Sequence, residues 1–261
     1  MPIHCPIATT RLSQQAFKLL ASDVMRHVFD IHNEFGRFFD EEVYKKELAV
    51  RMSGVVLELP IAVTHHTFTK TYYADVLINS GGLFEFKATD SIHPRHRGQT
   101  LNYLLLLDLG HGKVVNLRTE QVQHDFINCP SRLVDLKNPR ISDTHWNQDM
   151  AGAHALRDTL MPLVTDWGAG LEIGLYEEAV THFLGGMEKV FLPIPVMGKM
   201  GHLTNQRMNI VTPGVAFRIT GLRERLEEFE VQARKLLKHT TLNAIHWINI
   251  TQDSLTFRTL T

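Results

Sequence analysis

The chain has 261 residues, 44% of them apolar and 21% charged, with a formal net charge of −1. That is an ordinary globular composition, long enough for one large domain or two of usual size. The charge balance lacks the overall basic excess of proteins that hold nucleic acid mainly by neutralising phosphates. No apolar run approaches the roughly 20 residues that span a bilayer. The opening MPIHCPIATTRLSQQ has no basic stretch leading into an apolar core, so no signal peptide is read there. Cys5 and Cys129 lie far apart and match no zinc spacing, which makes a reducing cytoplasm the expected location.

Taken in order, residues 1–10 read as a loosely ordered lead-in. From Leu12 to His32, apolar residues recur at helical spacing (Phe17, Leu20, Val24, Val28, Ile31). Gly36 punctuates the pattern, and Phe39 to Met52 continues as a second helix carrying Glu41 and Tyr44 on one face. Val55–Val63 and Thr67–Tyr73 read as strands with His65 and His66 at the turn between them. A hairpin follows: Asp75 to Ile78, a stop at Asn79-Ser80-Gly81-Gly82, then the alternating run Leu83 to Lys87. Gln99 opens a helix, and strands are expected over Lys113–Leu117 and near Val122–Ile127. The core order is α-βββ-α-β.

Glu85 and Lys87 are two apart on a strand, so both point to one face. With a three-residue loop, Asn79 to Gly81, and Gly81 in a bulge, Asp75 falls opposite Glu85. Two carboxylates this close repel, and a divalent cation bound by hard oxygens would relieve them. On the D-x9-E-x-K pattern alone, which is short and common, a solvated strand with ordinary ion pairs is the favoured reading. Gln99 and Tyr103, four apart, share a helical face.

In chain order, Gly36, Glu41 and Tyr44 (G-x4-E-x2-Y), Asp75, Glu85-x-Lys87 and Gln99-x3-Tyr103 resemble the GxxExxY family of the PD-(D/E)xK nucleases over roughly residues 24–125. One departure is Phe38, where that family usually has a second glycine. The resemblance implies an α/β, restriction-endonuclease-like core, a mixed central sheet flanked by helices. It further implies a nuclease centre in which Asp75, Glu85 and Glu41 ligate Mg²⁺ (or Mn²⁺). Lys87 would sit beside the attacking water and a phosphate oxygen. Gln99 and Tyr103 would support the site and contact substrate, and His96 could reach phosphate. The implied partner is nucleic acid, DNA by family likeness. For Lys87 the plain structural role is a salt bridge to Glu85, for Glu41 an exposed helical acid, and for Tyr103 a half-buried ring with a bonded hydroxyl. Tyr44 reads as packing.

Residues 129–155 lose periodicity and are expected to link a domain at 1–128 to another at 156–261, packing partly through Leu133, Leu136 and Trp146. The second half repeats the first at a near-constant offset. Gly168 and Tyr176 fall under Gly36 and Tyr44, Pro193 to Val196 under Pro60 to Val63, and Trp247 to Ile250 under Val114 to Leu117. In that copy Ile173 replaces Glu41, Asn209 meets Asp75, and Val215 to Ile219 carries no carboxylate. The second half thus reads as a pseudo-nuclease, structural or substrate-holding, and the chain as a monomer with an internal pseudo-dimer or as a homodimer. The competing class is a non-catalytic binding or assembly module. No P-loop, G-x-G-x-x-G or G-x-S-x-G motif supports another enzyme class.

Overall fold

The computed structural model describes residues 2–261 and divides the chain between Leu133 and Val134 into two compact units. The first unit runs β1 (Ile3–His4), α1 (Gln14–Phe35), α2 (Glu41–Arg51), β2 (Val55–His65), β3 (Phe68–Ile78), β4 (Gly82–Lys87), α3 (Pro94–Leu106), β5 (His111–Asn116) and β6 (Gln123–Asn128). Its six strands lie side by side in chain order. β4 and β5 are parallel, joined across α3, and every other neighbouring pair is antiparallel.

Ser13 opens α1 by accepting a hydrogen bond from Ala16 N–H at 3.2 Å. The periodic residues Phe17, Val24, Val28 and Ile31 are fully or almost fully buried. They pack with Tyr44 and Leu48 of α2 against Val76, Ile78, Phe84, Phe86 and Val115 of the sheet. Burial of each such side chain stabilises by about 1.5–3 kcal/mol. Because β4 alternates, seating Phe84 and Phe86 on this core sends Glu85 and Lys87 to the opposite face. On that face Gly112 lies close to Leu104 and Thr100 of α3, and the Tyr103 ring meets Tyr72 at 6.1 Å.

The runs Thr67–Tyr73 and Asp75–Ile78 form one strand, β3. Ala74 is fully buried and pairs with Leu59, so the register to β2 continues on both sides of Glu58 and Asp75, the opposed pair that the ladder skips. The three-residue loop is present, since Ile78 pairs with Gly82. Its bulge is not at Gly81: the left-handed residues are Asn79 (φ 49°) and Ser80 (φ 56°). Gly81 is required by crowding instead. A Cβ there would lie 2.7 Å from Leu12 Cγ and 2.8 Å from Thr10 O, where the N-terminal segment crosses the turn.

A 3₁₀ turn (Leu133–Leu136) leads into the second unit. That unit contains β7 (Arg140–His145), α4 (Ala153–Trp167), α5 (Ile173–Phe183), α6 (Met187–Val190), β8 (Phe191–Gly198), β9 (Gly201–Thr212), β10 (Val215–Thr220), α7 (Leu226–Lys238), β11 (Ala244–Ile250) and β12 (Ser254–Leu260). The segment expected to be a linker therefore contributes a strand, β7, parallel to β12 at the sheet edge. The sheet order is β7-β12-β11-β10-β9-β8.

The run β8-β9-β10-α7-β11-β12 pairs antiparallel, antiparallel, parallel, antiparallel, as does β2-β3-β4-α3-β5-β6. Local details recur as well. Gly36 and Gly168 both end a helix at positive φ, 72° and 82°. Tyr44 donates its hydroxyl to Gly36 O at 2.8 Å, and Tyr176 to Gly168 O at 2.5 Å. Asn116 closes a two-bond clamp on the backbone of Thr89, and Asn249 closes the same clamp on Leu222. No helix among the described residues is long and apolar enough to cross a membrane.

Candidate active site

The hairpin and α2 bring four charged side chains together in the first unit. Asp75 Oδ2 accepts from Phe86 N–H at 2.9 Å, which ties β3 to β4 just beyond their last paired residues. Lys87 Nζ donates to Glu85 Oε1 at 2.8 Å and lies 3.5 Å from Asp75 Oδ2. Lys45 of α2 reaches the other Asp75 oxygen at 3.1 Å and also pairs with Glu58. Asp75, Lys45 and Lys87 are all buried, and Glu85 is 0% exposed.

Electrostatics follow from that burial. The Glu85 carboxyl is pushed up from 4.5 to about 8, first by burial and then by the charge of Asp75, against the pull of Lys87. Burial alone would lower the Lys87 ammonium, but Glu85 and Asp75 outweigh it and raise its pKa. Lys45 behaves alike: burial opposes its charge, and Glu58 and Asp75 together raise its pKa. Both lysines are therefore held as cations. Glu85 Oε2 is buried with no hydrogen-bond partner among the described residues.

Glu41, the first residue of α2, accepts from Ala88 N–H at 2.9 Å, just past the end of β4. It lines a cleft of about 550 Å³ with Asp40, Glu42, Lys45, Glu58, Ala88 and Arg118. Gln99 donates to the Tyr103 hydroxyl at 3.0 Å. Burial raises the Tyr103 pKa most, and the charges of Glu85 and Asp75 push the same way, which places the ring within their field. His96 sits apart from this group in its bonding. It is buried at the start of α3, and its Nδ1 accepts from His93 N–H at 3.2 Å in a capping box. Burial, then the charges of Lys87 and Arg95, lowers its pKa and keeps it neutral. Arg97 is committed to Asp125 at 2.7 Å.

The expected set of three metal ligands is not assembled. Among the described residues no three His, Cys, Asp or Glu side chains group as a ready cation site. Glu41 serves the backbone of Ala88 instead. What remains is a pair, Asp75 and Glu85, with the orphaned Oε2 as an unused hard donor. Two carboxylates suit Mg²⁺, which keeps several waters and seldom takes an all-protein cage.

Lys45 and Glu58 escaped the sequence reading. DEEVYKKEL looks like a solvated helix face, yet Lys45 falls four residues after Glu41 and beside the buried Tyr44, and that spacing was the available signal. Glu58 has φ 50°, unusual for a non-glycine residue inside a strand, and no sequence pattern announces it.

Residues 18–128 match the family model of the PD-(D/E)XK nuclease superfamily. No curated protein and no solved structure matches the chain.

Proposed function

With a PD-(D/E)XK nuclease superfamily domain in its N-terminal unit, we propose that this protein is a metal-dependent phosphodiesterase that hydrolyses nucleic acid, with DNA as the substrate. The observation that carries the reading is the convergence of Asp75, Glu85 and Lys87 at one end of the β3–β4 hairpin, with Glu85 Oε2 buried and unsatisfied. A carboxyl oxygen buried without a hydrogen-bond partner costs a few kcal/mol and calls for one.

Asp75 and Glu85 would hold Mg²⁺ or Mn²⁺, which lowers the pKa of bound water and offsets charge building on the phosphate. The chain's own groups do the rest. Lys87, fixed by two carboxylates, presents a permanent cation to a phosphate oxygen and can orient the attacking water. Lys45 holds Asp75 from the α2 side and sets the rotamer of its carboxylate. Glu41 fixes the end of β4 through Ala88 N–H, so its role is to position Lys87 and the cleft rather than to complete a ligand shell. Gln99 and the Tyr103 hydroxyl line the α3 side and would contact the strand. His96 acts by capping α3, which carries Gln99 and Tyr103, and not by meeting phosphate.

We take the C-terminal unit as a diverged copy of the first, supported by its element order, strand pairing, Tyr–Gly bond and Asn clamp. Its domain begins with β7, so the boundary falls near residue 133 rather than after a linker. In the copy Ile173, Asn209 and Arg218 stand where Glu41, Asp75 and Glu85 stand, so it holds substrate or structure and does not cut.

The test is cleavage of single-stranded and duplex DNA and of RNA in Mg²⁺, Mn²⁺ or EDTA, with an Asp75→Asn protein beside the wild type. Cutting of DNA that needs the cation and Asp75 supports the proposal. Equal cutting by Asp75→Asn, or no cutting of any nucleic acid, sinks it and favours a non-catalytic binding module.

A further inference from the structure

The C-terminal unit contains a pocket of about 210 Å³ where β9 and β10 face α7. Its walls include Asn209, Arg218 and Gln232, with Arg207, Phe229 and Leu236. Arg218, Gln232 and Leu236 lie 133 residues beyond Glu85, Gln99 and Tyr103, the offset that separates the two clamping asparagines, Asn249 and Asn116. The pocket thus occupies the place in this unit that the Asp75–Glu85–Lys87 centre occupies in the other.

At these equivalent positions the charge has changed. In the first unit the three positions carry two carboxylates and one ammonium. Here Asn209 is neutral, Arg218 is a cation and Thr220 replaces Lys87. No Asp or Glu lines the pocket, and two arginines do. Arg218 is solvent-exposed and makes no hydrogen bond or ion pair among the described residues, so its whole donor fork is available. Arg207 spends one donor on Phe191 O at 3.4 Å and lies over that ring at 5.8 Å, which leaves its other N–H groups facing solvent. Glu177 accepts from the Asn209 amide, so that acid is already engaged. A site that trades carboxylates for guanidinium groups has traded a cation for an anion, and a planar fork matches phosphate oxygens two at a time. Below the roughly 300 Å³ of drug-sized sites, the volume suits a phosphate and its sugar rather than a whole cofactor.

We infer that this pocket binds a backbone phosphate of a nucleic-acid strand, with Arg218 as the anchor and Arg207 beside it. The inference rests on the reading that the chain acts on nucleic acid, but not on catalysis by the first unit.

The experiment is fluorescence anisotropy of a labelled single-stranded oligodeoxynucleotide on the full chain in EDTA, where cleavage is off. Arg218→Gln should weaken binding about tenfold, the loss of one charge-assisted bidentate contact. It should also reduce the salt dependence by about one counterion. Arg207→Gln should weaken it less, and Lys199→Gln, an equal charge change on the exposed β8–β9 turn, should leave it within twofold. Arg218 is exposed, so the variant should fold, and unchanged tryptophan fluorescence (all three tryptophans lie in this unit) verifies it. Wild-type affinity in Arg218→Gln, or an equal loss in Lys199→Gln, overturns the proposal. So does competition by inorganic phosphate or a nucleoside monophosphate at the strand's own affinity, which would assign the pocket to a free small anion. Arg218-dependent binding with no cleavage in Mg²⁺ would uphold the pocket while failing the nuclease reading.

Discussion

Replacing Lys45 by Met tests how the site is held together. The side chain is 8% exposed, and its ammonium bridges Asp75, 11% exposed, and Glu58, 53% exposed. Removing one member of a buried pair costs about 3–5 kcal/mol, because the partner is left charged and dry. Two features place Lys45→Met near the lower bound. Asp75 keeps the Phe86 N–H at 2.9 Å and Lys87 at 3.5 Å, and Glu58 can be rehydrated. A loss of about 3 kcal/mol is expected, the methionine filling most of the volume. Urea unfolding in EDTA, followed by far-UV circular dichroism, measures it. Tryptophan fluorescence isolates the C-terminal unit, since Trp146, Trp167 and Trp247 all lie there, and its transition should not move. Millimolar Mg²⁺ should recover part of the loss by replacing the missing cation. A change under about 1 kcal/mol would mean that Asp75 does not depend on Lys45, and the arrangement of the site would have to be redrawn.

Three further outcomes follow from the same geometry. The Glu85 carboxyl keeps its proton to about 8 when folded and loses it near 4.5 when unfolded. The folded chain therefore binds more protons in that window, and stability falls as pH rises through it, by at most roughly 5 kcal/mol at about 1.36 kcal/mol per pH unit. Glu85→Gln should flatten that slope in EDTA; an unchanged slope would assign the titration elsewhere. Asn116→Ala and Asn249→Ala should each destabilise their own unit by roughly 1–3 kcal/mol, since each strips two part-buried backbone groups of their partners. Equal melting of wild type and variants would show the clamps to be idle. Gly81→Ala should cost about 1–3 kcal/mol by pressing on Leu12 and Thr10, and a neutral result in thermal melts would contradict the close crossing.

Much of the fold could be read from pattern. Apolar spacing at Phe17, Val24, Val28 and Ile31 placed α1, and the alternation Phe84-Glu85-Phe86-Lys87 decided which face is core and which carries charge. The three-residue turn fixed Asp75 against Glu85. The length of β3 was harder to see, because Tyr72 and Tyr73 break alternation and only pairing with β2 shows the strand to be continuous. β7 was missed because Arg140 to His145 is polar and mostly exposed at a sheet edge. Its pairing with β12 is set by residues more than 100 positions away. In the site, Asp75, Glu85 and Lys87 were legible since they share one hairpin. Lys45 and Glu58 were not, because a buried lysine and a left-handed glutamate are products of tertiary packing, and their local sequence suggests a solvated surface.

The central claim is that Lys87, held by Asp75 and Glu85, acts on a phosphodiester. The most direct measurement is the rate of Mg²⁺-dependent DNA cleavage by Lys87→Ala beside the wild type, with the Mg²⁺-induced rise in melting temperature recorded for both. Loss of the preorganised cation should slow cleavage by about 10²–10³-fold, while the rise in melting temperature survives. Cleavage by Lys87→Ala within threefold of wild type, in a protein that melts normally, would contradict it.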